Sequence, residues 1–155
     1  MKNIKNYSDF LLESIQSYDW EFKSDRGNVI DYTFVDNEGN NYLVQFKNIP
    51  ILRKDDLSTE FELVYFVHDG ENYTVSKLVG TNVWRTVKTV LTDILNDFVK
   101  RHSWVKKIVI NGLAKDQESS FISQRTKLYN RHLERNPIDG FRKQVLGNRI
   151  NLIRK

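Results

Sequence analysis

Three cations at helical spacing are the part of this sequence whose chemistry is easiest to interpret. Lys127, Arg131 and Arg135 recur every four residues in a segment predicted to be helical, so they share one face of that helix. Like charges at this spacing repel by roughly a few tenths of a kcal/mol per pair. A bound phosphate would relieve the repulsion, and so would ordinary solvation. With three further cations they form the predicted polyanion-binding set: Arg125, Lys127, Arg131, Arg135, Arg142 and Lys143.

A phenol and a guanidinium lie together on the same predicted helix. Arg125 precedes Tyr129 by one helical turn, so the two side chains are neighbours on the helix surface. The pair predicts an anion or aromatic site. The alternative is that Arg125 holds a carboxylate such as Glu118.

Several kinds of catalytic centre find no support in the sequence. The chain has no cysteine, which excludes disulfides and thiolate sites. His68, His102 and His132 are far apart and lack metal-ligand spacing, so we predict that they lie at the surface or in hairpins and that no metal is bound. There is no Ser-His-Asp order and no Walker-type phosphate loop.

The charge is unevenly distributed along the chain. Residues 1–99 carry 10 basic and 16 acidic side chains, whereas residues 100–155 carry 14 basic and 4 acidic side chains. Such a basic half can bind nucleic acid or an acidic protein surface, or it can pair with the acidic half of the same fold. No apolar run is long enough to span a membrane and no signal peptide is visible, so we expect a soluble protein with no membrane partner.

The elements that would position these groups follow from hydrophobic periodicity. A length of 155 residues, of which 39% are apolar, suits one domain. Turn sequences at 36–40, 69–70 and 147–148 predict three hairpins. We predict helices at 7–16, 82–101 and 120–134, and strands at 29–35, 42–46, 61–68, 73–78, 105–112, 141–146 and 149–153. This order predicts a single α+β domain with a mixed, mostly antiparallel sheet and crossover helices.

The second half of the chain resembles the GNAT acyltransferases. Leu128-Tyr129 on a late helix is followed by Gly140-Phe141, as in that family, and the likeness covers about residues 60–155. The resemblance implies a GNAT-like fold, acetyl-CoA as the cofactor, and Tyr129 as the general acid that protonates the departing thiolate.

The predicted phosphate-binding segment departs from the family pattern. The resemblance places a pyrophosphate loop at 77–85, where Gly80, Thr81, Asn82 and Arg85 would contact the cofactor. That segment has one glycine, and the bulky Trp84 stands where backbone should approach the phosphates closely. The sequence therefore predicts no cofactor, with acetyl-CoA as the alternative.

Two further resemblances indicate a tailed phage. Residues 84–87 and 123–129 resemble small phage proteins with an acetyltransferase-like layout, and residues 7–14 resemble the capsid-targeting start of internal head proteins in T-even-type phages. The second resemblance implies a prohead scaffold as partner and cleavage between Glu13 and Ser14. It divides the chain into a targeting helix at 1–17 and a GNAT-like domain at 18–155. The alternative is an ordinary N-terminal helix packed on the sheet.

Three functions follow from these patterns. The first is a non-catalytic phage binding or virion-associated protein, in the host cytoplasm or the virion, whose basic C-terminal half contacts an acidic partner on a degenerate acetyltransferase-like scaffold. The second is a coenzyme A-dependent N-acyltransferase that uses Tyr129. The third is a nucleic-acid-binding module that uses the basic side chains of the C-terminal half.

Overall fold

A computed structural model describes residues 16–50, 58–68, 70–71, 73–74, 83–111 and 123–155. The processing residues Glu13 and Ser14 lie outside this part of the chain, as does most of the helix predicted at 7–16. Residues 16–19, which are described, have no regular secondary structure.

The described strands form one mixed sheet. Seven strands lie in the order β1-β2-β3-β4-β6-β8-β7, and the short β5 pairs with the end of β4. The pair β4–β6 is parallel and all the other pairs are antiparallel. The strand bounds are β1 Trp20–Asp25, β2 Val29–Val35, β3 Asn41–Asn48, β4 Glu60–His68, β5 Tyr73–Thr74, β6 Lys107–Asn111, β7 Phe141–Leu146 and β8 Arg149–Arg154.

The α+β class and the mostly antiparallel mixed sheet are confirmed, but β1 was missed. Trp20 and Phe22 alternate with Glu21 and Lys23, which is the period-2 pattern of a half-buried strand. The strand forms the sheet edge next to β2, and its register with β2 shifts between Phe22 and Ser24. This shift is a bulge, a common feature of edge strands.

Two helices pack on one face of the sheet. Helix α1 spans residues 83–101 as three consecutive segments, Val83–Lys88, a π-helical Thr89–Ile94, and Leu95–Arg101. Helix α2 is Gln124–Arg135. Among the described residues, neither helix is long and apolar enough to cross a membrane.

The core lies between this face and α1 because alternate residues of β2, β3 and β4 are apolar. Phe98 of α1 stacks on Phe46 of β3 with ring centroids 3.8 Å apart, and it meets Phe61 of β4 edge-on at 5.3 Å. All three rings are fully buried. The side chains of α1 therefore fix its position over the centre of the sheet.

Two of the predicted hairpins form as their turn sequences indicate. Between β2 and β3, the Asp36 carboxylate accepts the backbone N–H groups of Glu38 and Asn40, and Gly39 has a φ of 84°. β7 and β8 are joined by the two-residue turn 147–148, in which Gly147 has a φ of 59°. Positive φ values favour glycine at both turns.

Candidate functional site

A cleft opens where the parallel strands β4 and β6 stop pairing. β6 lies opposite β4 only from Glu60 to Leu63, and β5 lies opposite Val67 and His68. Among the described strands, none lies opposite residues 64–66 on that edge. Within the described part of the chain, the sheet is therefore open between the two pairings.

This cleft has a volume of about 450 Å³ and is lined from both faces of the sheet. Leu63 and Tyr65 face the helices, while Glu62, Val64 and Phe66 alternate with them and face the other side. The remaining described lining residues come from β3, α1, β6 and α2, and they are Lys47, Leu91, Ile110, Asn111, Arg125 and Tyr129.

Two tyrosines meet at the helix side of the cleft. The hydroxyl oxygens of Tyr65 on β4 and Tyr129 on α2 are 2.6 Å apart, so one hydroxyl donates a hydrogen bond to the other. The two ring centroids are 6.3 Å apart. Tyr129 is 2% exposed, so its hydroxyl is held in a site largely shielded from water.

Burial makes both phenols weaker acids than an exposed tyrosine, whose pKa of about 10 already leaves it protonated at neutral pH. Desolvation raises the pKa of Tyr129 to about 12, although the nearby Arg125 and the hydrogen bond with Tyr65 both act to lower it. Desolvation and the neighbouring Tyr129 raise the pKa of Tyr65 well above its usual value. Both groups are therefore neutral phenols at neutral pH that can take part in hydrogen bonds, and neither group is a ready base.

The N-terminus of α2 is fixed to the closing hairpin. Ser123 is the N-cap, and its hydroxyl accepts the backbone N–H of Thr126. Asn148, in the β7–β8 turn, accepts hydrogen bonds through Oδ1 from the Ser123 N–H and the Thr126 hydroxyl. These bonds set the orientation of α2, and with it the positions of Arg125 and Tyr129.

The π-helical segment of α1 connects the cleft to α2. The Thr89 hydroxyl donates to the carbonyl of Arg85, which in a regular α-helix would accept the Thr89 N–H. Leu91 in this segment lines the cleft, and the Thr92 hydroxyl lies 2.7 Å from Nε2 of His132 on α2. The segment thus supplies a cleft wall and an interhelical hydrogen bond.

The prediction that all three histidines lie at the surface or in hairpins was wrong for two of them. His102 and His132 are each 6% exposed. His102 ends α1, where its two ring nitrogens contact the Phe98 carbonyl and the Asp25 carboxylate, both at 3.0 Å. His68 does lie at a hairpin, where Nδ1 accepts the N–H of Gly70. Sequence spacing could not show the burial because it depends on distant elements.

The predicted basic row is present and exposed. Lys127, Arg131 and Arg135 all lie on the exposed face of α2, and the Arg131 guanidinium lies 5.8 Å from the ring centre of Trp84. Arg142 of β7 is also exposed. The remaining two members of the predicted set are placed differently.

Arg125 and Lys143 do not belong to the exposed row. Arg125 is half-buried and lines the cleft together with Tyr129, whereas Glu118, its alternative partner, lies outside the described residues. Lys143 is half-buried, forms an ion pair with Glu134 at 3.2 Å, and donates a hydrogen bond to Asn130. Lys143 therefore ties β7 to α2.

Of the four residues predicted to hold a cofactor, the structure describes Arg85, and this residue does not line the cleft. Gly80, Thr81 and Asn82 lie outside the described residues. The Arg85 guanidinium lies over the ring of Tyr18 at 4.1 Å, and Arg85 is not among the residues that line the cleft. No group of three or more potential metal ligands occurs among the described residues.

Sequence reasoning missed four polar residues of the cleft, which are Lys47, Glu62, Tyr65 and Asn111. Tyr65 occupies an inward position in the series Phe61, Leu63, Tyr65 and Val67, and its hydroxyl is the only polar group in that series. A phenol among inward aliphatic and aromatic residues was the available signal. Glu62 of β4 faces the opposite side of the sheet. It is paired in register with Lys47 of β3, and both residues line the cleft.

Comparisons with protein-family models, with curated proteins and with solved structures find no significant match to this chain.

Proposed function

We propose that the chain is a non-catalytic binding protein on an acetyltransferase-like scaffold, and that its basic C-terminal half contacts an acidic partner. The row of Lys127, Arg131 and Arg135, three exposed cations on one face of α2, carries the proposal. The closing hairpin adds to the positive field, since residues 140–155 contain five basic and no acidic side chains. The test is charge reversal of the row, which should abolish retention on a polyanion.

The scaffold is supported by the succession of elements. α1 lies between the β4–β5 hairpin and β6, which is parallel to β4, and α2 and the antiparallel hairpin β7–β8 follow. This is the succession of long helix, strand, helix and closing strands on which the GNAT resemblance rests. Fold alone does not fix function, so catalysis needs its own test.

A phage prohead scaffold is the partner that the N-terminal resemblance implies. If the chain is packaged and processed, copies from purified virions should begin at Ser14, which mass spectrometry of the intact protein would show. Virion copies that begin at Met1, or virions without this protein, would contradict packaging. The acidic-partner proposal does not depend on that outcome, because it rests on residues of α2.

A coenzyme A-dependent N-acyltransferase is the second candidate, and the cleft is the observation that favours it. Tyr129 lines the cleft and is a protonated phenol at neutral pH, and its pKa of about 12 makes it a weaker acid than an exposed tyrosine. In this role Tyr129 would protonate a departing thiolate. Tyr65, 2.6 Å away, would then donate its hydrogen bond to the phenolate oxygen that forms.

Titration with acetyl-CoA separates the two candidates. We expect a dissociation constant weaker than about 1 mM, equivalent to about 4 kcal/mol of binding free energy, because the segment that should hold the phosphates has a single glycine and Trp84. Isothermal titration calorimetry would measure it. A micromolar constant would contradict the non-catalytic proposal, and Tyr129→Phe should then lower turnover while leaving cofactor affinity nearly unchanged.

A further inference from the structure

Strand β7 presents an open edge of the sheet. It is the last strand in the order, and β8 lies on its one paired side. The Gly140 carbonyl accepts the N–H of Lys155 at 2.8 Å, and in an antiparallel ladder every second residue bonds to the same neighbour. The backbone groups of Arg142, Gln144 and Leu146 therefore face β8, and those of Lys143 and Val145 face away from the sheet. No strand among the described residues lies opposite them.

The two edges of the sheet differ in how well they are protected. The outer strand β1 has a bulge between Phe22 and Ser24, and it carries an exposed ion pair between Glu21 and Lys23. Both features discourage pairing with a further strand. β7 keeps regular register with β8 over its whole length. It also ends in exposed apolar side chains, since Val145 is 36% and Leu146 is 56% exposed. An unbulged edge with exposed apolar residues is suited to accept another strand.

Charge decides which strand fits. The hairpin that carries the edge has five basic and no acidic residues in 140–155, and Arg142 and Arg149 are exposed. Antiparallel pairing of β7 with a second copy of itself would bring these cations together, which is unfavourable. An extended segment with acidic residues would pair with them instead.

We propose that β7 is a docking edge for an extended acidic segment of a partner protein, which adds to the sheet as a further strand through the backbone groups of Lys143 and Val145. The inference rests on the proposal that the basic half meets an acidic partner, and it names the surface and the form of that partner. An acidic side chain of the added strand would lie beside Arg142, and an apolar one beside Val145.

The test uses the full chain and an acetylated, amidated, fluorescent peptide of about seven residues in which Glu and Val alternate. Val145→Pro removes the outward N–H without changing charge, and Val145→Thr is the matched control that keeps it. We expect Val145→Pro to weaken peptide binding by about tenfold, measured by fluorescence polarisation, and Val145→Thr to change it by less than about twofold. Equal affinity in the two variants would overturn the proposal.

A second measurement on the wild-type chain needs no variant to fold. Added peptide should slow hydrogen exchange of the Lys143 and Val145 amides, while the Gln144 amide, which faces β8, should change little. Unchanged hydrogen exchange at Lys143 and Val145 would overturn the proposal. So would a dimer in which β7 pairs with a second copy of itself. Binding of a DNA oligonucleotide with equal affinity to both Val145 variants would also overturn it. Loss of polyanion binding on reversal of the α2 row, together with insensitivity to Val145→Pro, would overturn only this inference.

Discussion

Reversing the three exposed cations of α2 is expected to abolish retention on heparin at low salt. Lys127→Glu, Arg131→Glu and Arg135→Glu together change the charge by six units on one exposed helical face. The attraction between a basic surface and a polyanion depends on such neighbouring charges, and it weakens as salt rises. For a nucleic acid, losing three phosphate contacts would reduce the slope of log affinity against log salt by about three.

A charge-matched variant separates a defined surface from net charge. Lys23, Lys100 and Lys106 are exposed and lie outside α2, so their reversal to Glu changes the net charge equally. We expect this control to elute from heparin much closer to the wild type than the α2 variant does. Equal losses in both variants would mean that only net charge matters, and an α2 variant that elutes with the wild type would mean that the row is merely solvated. Circular dichroism should show that all three proteins remain folded.

Acidification is expected to destabilise the domain through His132. Burial, reinforced by the nearby Lys88, lowers the pKa of His132 from 6.5 to about 4, so the folded protein holds this imidazole neutral. The unfolded chain takes up the proton more readily between these two values. The free energy of unfolding should therefore fall by about 3 kcal/mol as the pH drops from about 6.5 to about 4, and this group should have no further effect above that range.

The comparison that isolates this effect is His132→Gln. Glutamine does not titrate but can still form a hydrogen bond with the Thr92 hydroxyl, which lies 2.7 Å from Nε2 in the native protein. Urea unfolding of both proteins at neutral pH and at about pH 4 should show a smaller acid-induced loss in the variant. The same loss in both proteins would show that other groups cause the pH dependence. Because His132 joins α2 to the π-helical segment of α1, the result also reports on what holds the cleft together.

Most individual elements could be predicted because their signals are local. The apolar stripe of α1 and the turn residues at 36–40 and 147–148 involve neighbours in the sequence, and the structure confirms them. β1 carried the same kind of local signal in the alternation of Trp20 and Phe22 with charged residues, yet it was missed. The π-helical segment had a weaker signal in the sequence. The Arg85 carbonyl can accept a hydrogen bond from either the hydroxyl or the backbone N–H of Thr89, and the sequence does not show which of the two forms it.

The residues of the candidate sites also fall into two groups, those placed together by local sequence spacing and those brought together only by the tertiary fold. The sequence by itself determined the basic row on α2 and the proximity of Arg125 to Tyr129, because helical spacing alone places side chains on a shared face. The tertiary structure alone decided that Tyr65 meets Tyr129 from 64 residues away, that His102 and His132 are buried, and that β7 is an edge. The reason is physical: strand alternation fixes which face a residue occupies, whereas the neighbour across the sheet or beneath a helix is set by the packing of the whole core.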